Sequence, residues 1–105
     1  MSKALLLAVL LLAQQAQFRA TAYHLHGRTA SGTKTALGTV AVDPHVIPLG
    51  TRLWVQGYGR CVARDTGRRI RGRRIDLWLS SRGACRRFGV RRLWVRWERK
   101  RHSGE

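Results

Sequence analysis

Six short apolar runs, each closed by glycine, proline or a polar turn, constrain this chain more than any other feature. The clearest is VRRLWVRWER, residues 90–99. There Leu93, Val95 and Trp97 share one face and Arg92, Trp94, Arg96 and Glu98 the other, the period of two of a half-buried strand. FRATAY (18–23), TVAVD (39–43), TRLWVQ (51–56), RCVARD (60–65) and RIDLWL (74–79) read the same way, being β-branched or aromatic and bounded by turn residues. GYG at 57–59 is short enough to close a hairpin. SSRGACRRFG opens on a capping serine and stops at Gly89, which predicts a two-turn helix. Six short strands expose many edges, and closing the sheet removes them. The expected class is all-β: a small six-stranded barrel with one short helix over residues 18–98, followed by a frayed basic tail, 99–105.

With 105 residues and 44% apolar content, the chain suits one folded domain and does not suit disorder. Lys3 precedes ALLLAVLLLA, residues 4–13, and Ala16 follows. A basic start, a short apolar region and a small residue predict a secretory leader over residues 1–17; a buried first helix is the alternative. Ten apolar residues are too few to cross a bilayer, so no transmembrane span is expected, and the location is secreted, periplasmic or cell envelope.

The charge is +16, and 18 of the 21 basic residues are arginine. Such a surface attracts polyanions, whether nucleic acid, anionic lipid or an acidic wall polymer, and charge alone does not choose among them. Cys61 and Cys85 could pair in an oxidising compartment, but neither has metal-ligand spacing with the other or with His24, His26, His45 or His102. HLH, residues 24–26, sets two imidazoles on one side of a strand. They read as surface or hydrogen-bonding histidines, so neither a metal nor a cofactor is expected.

The acids are few and their places informative. ARDTGRRIRGRRIDLWLS, residues 63–80, carries six arginines around Asp65 and Asp76, and Asp43 is the third and last aspartate. Asp43 closes TVAVD, Asp65 closes RCVARD, and Asp76 sits inside RIDLWL. An aspartate in mid-strand is disfavoured, and one that points inward needs partners or a proton. Plainer duties stand beside this: Asp43 as a turn residue before Pro44, Asp65 as a backbone acceptor in DTG, Asp76 as a partner of nearby arginines. A barrel could bring all three together.

TAY with GRTASG (21–32), GTVAVDPHVIPLGTRLWVQGYG (38–59), ARDTGRRIRGRRIDLW (63–78) and RRFGVRRLWV (86–95) resemble, in this order, the 3D domain, named for three aspartates. That domain is similar to the catalytic barrel of membrane-bound lytic transglycosylase A. The resemblance implies a double-psi β-barrel that cleaves the β-1,4 bond between N-acetylmuramic acid and N-acetylglucosamine in peptidoglycan. It makes Asp43, Asp65 and Asp76 the family aspartates, with Asp76 the expected catalytic acid. Thr29, Ser31, Gly32, Thr66 and Gly67 match substrate-binding positions. The implied partners are peptidoglycan glycan strands; from charge alone, and not from the resemblance, anionic wall polymers are candidate partners of the arginine-rich surface. No specific nucleic acid is implied, and the chain is expected to be a monomer. A catalytically silent module holding glycan in the same groove, with tryptophans stacking on sugars, is the alternative; a basic nucleic-acid binder is a third.

Ordinary glycosidases need two carboxyl groups. A lytic transglycosylase uses the muramyl 6-hydroxyl in place of water, so one carboxyl can act as acid and then as base. Burial and the like charge of Asp65 would raise the pKa of Asp76, against Arg73, Arg74 and the positive field. Two departures from the family pattern stand out: Arg68 and Arg69 replace a glycine and a small residue, and His24 and His26 stand where many relatives have cysteines. If that glycine supplied a positive φ, Arg68 would strain the loop.

Overall fold

The computed structural model describes residues 13–98. Residues 1–12 of the expected leader and the tail 99–105 lie outside the described residues. The strands are β1 (Ala13–Tyr23), β2 (Thr39–Ala41), β3 (Arg52–Val55), β4 (Gly59–Asp65), β5 (Arg74–Trp78) and β6 (Arg91–Glu98), and helix α1 (Arg82–Phe88) lies between β5 and β6. They close in the order β1-β5-β2-β4-β3-β6. The chain is a closed six-stranded barrel with one short helix. β1 runs parallel to β5 and β2 to β4, and the remaining pairs are antiparallel.

The first strand is nearly twice as long as FRATAY. Ala13–Gln17, assigned above to the end of a leader, pair with β6 from Glu98 to Trp94. Ala16 joins Phe18 and Ala20 in the core while Gln15, Gln17 and Arg19 face out, so the two-residue period continues through them. β2 is shorter than TVAVD: it ends at Ala41, which leaves Asp43 in the following turn.

Inward positions of all six strands meet in one core, including Phe18, Val40, Val55, Ala63, Ile75 and Val95. Each large side chain so buried contributes roughly 1.5–3 kcal/mol. Phe18 also meets the edge of Trp97, with ring centroids 5.4 Å apart at 89°, a favoured aromatic geometry. The β3–β4 hairpin turns at Gly57 and Gly59, both at positive φ. Ser81 caps α1 by accepting from the Ala84 amide at 3.1 Å, and α1 packs against β1. Cys61 is buried in the core and Cys85 half-buried on α1, and both are free thiols. Burial pushes the Cys61 thiol up to about 12, as expected for a thiol that loses solvation when ionised.

Candidate functional site

The site is a row of residues across four strands on the outer wall of the barrel. Thr21 of β1 pairs with Asp76 of β5, Asp76 with Ala41 of β2, and Ala41 with Asp65 of β4. Residues directly opposed in a sheet share a face. The two aspartates therefore stand two strands apart, on the order of 10 Å between Cα atoms, with only a methyl group between them.

Two local features build this row. In β5, Ile75 and Leu77 are buried, so alternation turns Asp76 away from the core. Asp76 thus follows Arg74 onto the outer face. In β4 the parity alone would send Asp65 inward after Cys61 and Ala63. A register shift in the β2–β4 pairing, where Val40 meets Ala63 but Ala41 meets Asp65, puts it opposite Ala41 instead. Such bulges re-aim side chains.

The two carboxyl groups differ in their partners. Asp65 accepts from the Ala30 amide at 3.0 Å and the Thr66 amide at 2.9 Å through Oδ1, and from the Tyr23 hydroxyl at 3.1 Å through Oδ2. Asp76 accepts a single hydrogen bond among the described residues, from Thr21 Oγ1 at 2.9 Å. Burial raises the Asp76 pKa above the usual aspartate range; the Thr21 bond and Arg74 oppose this, and the charge of Asp65 adds a smaller upward push. The Tyr23 phenol pKa is raised, chiefly by burial and then by Asp65, with a smaller push from Asp76. Arg74, on the face of Asp76, has its Nε buried without an acceptor.

Asp43 has other work. Its Oδ1 accepts from the His45 amide at 3.0 Å and lies 3.1 Å from His45 Nδ1, and its Oδ2 accepts from the Gly72 amide at 2.8 Å. Its carbonyl also accepts from Val46 and Ile47. These bonds, the Gly72 amide first, hold its pKa below the usual range. Asp43 thus pins the 43–47 turn to the 66–73 connection, while Asp65 and Asp76 share the row.

The segment Thr29–Gly32 lies at the Asp65 end. Thr29, Ser31 and Thr33 form a closed set of hydroxyl contacts at 2.9 to 3.1 Å, and the Ser31 amide donates to the Arg64 carbonyl at 3.0 Å. Thr29 is buried whereas Ser31 and Gly32 are exposed, so Ser31 is the member of that set open to a ligand. Gly32 has φ of 86°, a conformation that favours glycine. Thr66 contributes its amide to Asp65, and a Cβ on Gly67 would lie 3.1 Å from Ile70 Cγ1. Arg68 is exposed, and no described non-glycine residue has positive φ. The anticipated strain at Arg68 is absent.

Trp78, an expected sugar platform, is only 6% exposed. Its indole donates to the Leu25 carbonyl at 2.9 Å and its ring meets the edge of His26. Among the described residues, no three His, Cys, Asp or Glu side chains cluster as metal ligands. Sequence reasoning did not assign Thr21, Tyr23 and Arg74 to the site. Alternation along FRATAY and RIDLWL places all three on the outward faces, which was the available signal.

Fold and site define a small closed barrel with three aspartates, two of which share one face of its wall. The family model for the 3D domain matches residues 38–97, and the chain belongs to that family. Among curated proteins it is 39% identical over 87 residues to the cell wall-binding protein YocH of Bacillus subtilis strain 168, covering 73% of this chain and 30% of that protein. It is 40% identical over 67 residues to YabE of the same organism, whose assigned name refers to cell wall shaping, covering 60% of this chain and 16% of that one. The chain therefore spans less than a third of either relative.

Proposed function

We propose that the chain is a peptidoglycan-cleaving enzyme of the lytic transglycosylase type, acting outside the cytoplasmic membrane as a secreted or envelope protein. The observation that carries this is Asp76: a half-buried carboxyl with a raised pKa and one hydrogen bond, on the same face as Asp65, which accepts three. The family match and the wall-related names of its relatives support the substrate. The two parallel pairings, β1 with β5 and β2 with β4, support reading the barrel as double-psi.

In this reading Asp76 gives its proton to the glycosidic oxygen as the muramyl C1–O bond breaks. The resulting carboxylate then takes the proton of the C6 hydroxyl as that oxygen closes on C1. Asp76 ends protonated and no water is consumed. Asp65, held by two amides and a phenol, supplies fixed negative charge for the developing oxocarbenium ion. Ser31 lines the Asp65 end, and Asp43 is a positioning residue for the 66–73 connection.

A second reading rests on the name of YocH, a cell wall-binding protein: the barrel holds glycan in this groove without cutting it. Mass spectrometry of what the full chain and Asp76→Asn release from purified sacculi separates the two. Release of 1,6-anhydromuropeptides by the native chain and not by the variant is the expected result. Sacculi bound by both and cut by neither would sink the enzyme reading.

A further inference from the structure

A concavity of about 1450 Å³ contains none of the three aspartates. It opens on the half of the barrel built from β3, β4 and β6, beside the start of β1. A second residue row crosses this face: Gln15 of β1 pairs with Arg96 of β6, Arg96 with Trp54 of β3, and Trp54 with Arg60 of β4. Arg60 and Asp65 lie at opposite ends of β4, roughly 17 Å apart along the strand, so this row is separate from the aspartate row.

Its chemistry is one-sided. Arg52, Arg60, Arg64, Arg96 and Lys34 line the concavity, with Glu98 as the one acid among its lining residues. Trp54 is 40% exposed and Trp94 46% exposed. Trp94 precedes Arg96 by two positions on β6 and so shares its face, and the two tryptophans border a smaller concavity that adjoins the first. The Arg96 guanidinium lies 5.7 Å from the Trp54 ring centroid, within cation–π range. Arginine on both sides of an exposed indole, repeated across a sheet, suits a chain that alternates flat apolar rings with anions.

We propose that this face binds a phosphodiester-linked sugar polymer of the cell wall, its sugar rings on Trp54 and Trp94 and its phosphates on Arg60, Arg96 and the flanking Arg52 and Arg64. The assignment rests on the wall-directed reading above. It adds a second site that would hold the barrel on a decorated wall while the aspartate row works on glycan. A phosphodiester keeps one charge per repeat at any working pH, which matches an arginine-rich strip better than the scattered carboxyl groups of wall peptides. The neighbouring arginines of the row, two strands apart, are about 10 Å from each other at Cα, and their long side chains span adjacent repeats.

The test is co-sedimentation of the full chain with sacculi that carry their phosphodiester polymer and with the same sacculi stripped of it. The native chain should bind the decorated sacculi at least about tenfold more tightly, as expected for one or more charge-assisted contacts. The double variant Arg60→Gln/Arg96→Gln, and separately Trp54→Ala, should lose that difference. All three side chains are exposed, so the core is untouched, and circular dichroism confirms folding. Equal binding of both sacculi by the native chain, or an undiminished preference in the variants, would overturn the proposal. So would duplex DNA that competes, at matched phosphate and about 0.15 M salt, as well as the free wall polymer does. Loss of the preference with 1,6-anhydromuropeptides still released supports this site and leaves the cleavage reading standing. A native chain that prefers decorated sacculi but releases none of those products contradicts cleavage alone.

Discussion

Asp76 and Asp43 are perturbed in opposite directions, and the causes are separable by pH. The carboxyl of Asp76 is favoured in its neutral form by burial. Its folded-state pKa lies above the unfolded one, so its ionisation costs stability as pH rises from the unfolded value through the folded one. Asp76→Asn should therefore raise the melting temperature at about pH 7 and leave it unchanged near pH 3, where the native group is already protonated. Thermal melts at the two pH values read this directly. Asp43 behaves oppositely, since backbone amides stabilise its charge. Its contribution is present above the unfolded pKa and lost as pH falls through the folded one. Asp43→Asn turns a donor toward the Gly72 amide, which now donates to Oδ2 at 2.8 Å. Faster hydrogen exchange at Gly72 and a lower melting temperature at about pH 7 are the expected outcomes. The sequence made all three aspartates visible, because they are rare in an arginine-rich chain. Their division of labour was not visible, because it depends on which amides face each carboxyl after the loops close.

At the level of elements, strand alternation was legible and strand register was not. The periods of β3 to β6 and the capped helix follow from the residues, and the observed bounds differ from the runs by one or two positions. The shift between Val40 and Ala41 has no signature in RCVARD, yet it decides that Asp65 shares a face with Asp76. Helix α1 matters to the same site, because the Asp76 charge reaches Cys85 and, after burial, helps raise its thiol pKa. Ser81→Ala removes the cap donated to by the Ala84 amide and should cost about 1 kcal/mol by chemical denaturation. With α1 loosened over β1, burial of Asp76 falls and the alkaline limb of a pH–rate profile, where Asp76 loses its proton, should move toward lower pH. An unchanged profile would show that α1 contributes nothing to that environment.

The whole molecule depends on closure, and closure depends on residues that sequence reasoning assigned elsewhere. Ala13–Gln17 fall within the leader expected from a basic start, a short apolar region and the small residue Ala16. In the barrel Gln15 and Gln17 are the outward half of an alternation that continues into Phe18 and Ala20. A chain beginning at Phe18 loses five registered pairs with β6, Ala13↔Glu98 through Gln17↔Trp94. Against a chain beginning at Ala13 it should be less stable by on the order of 3 kcal/mol, summing net hydrogen-bond contributions of roughly 0.5–1.5 kcal/mol each. Denaturation midpoints of the two chains test this, and equal midpoints would mean that the long β1 adds nothing to closure. The same closure sets two residue rows on opposite halves of one small wall, one acidic and one basic. The net charge of +16 signalled a polyanion partner, but placing the arginines beside Trp54 and Trp94 required the register.

The account turns on Asp76 holding a proton that it can give away. Carbon NMR of the full chain, following the Asp76 carboxyl through a pH titration and assigned by its loss in Asp76→Asn, measures this without any substrate. The account predicts a midpoint above that of an ordinary aspartate, matching the upper limit of the pH range in which muropeptides are released. A midpoint at or below the ordinary value would contradict it, because a carboxyl already ionised has no proton to give to the glycosidic oxygen.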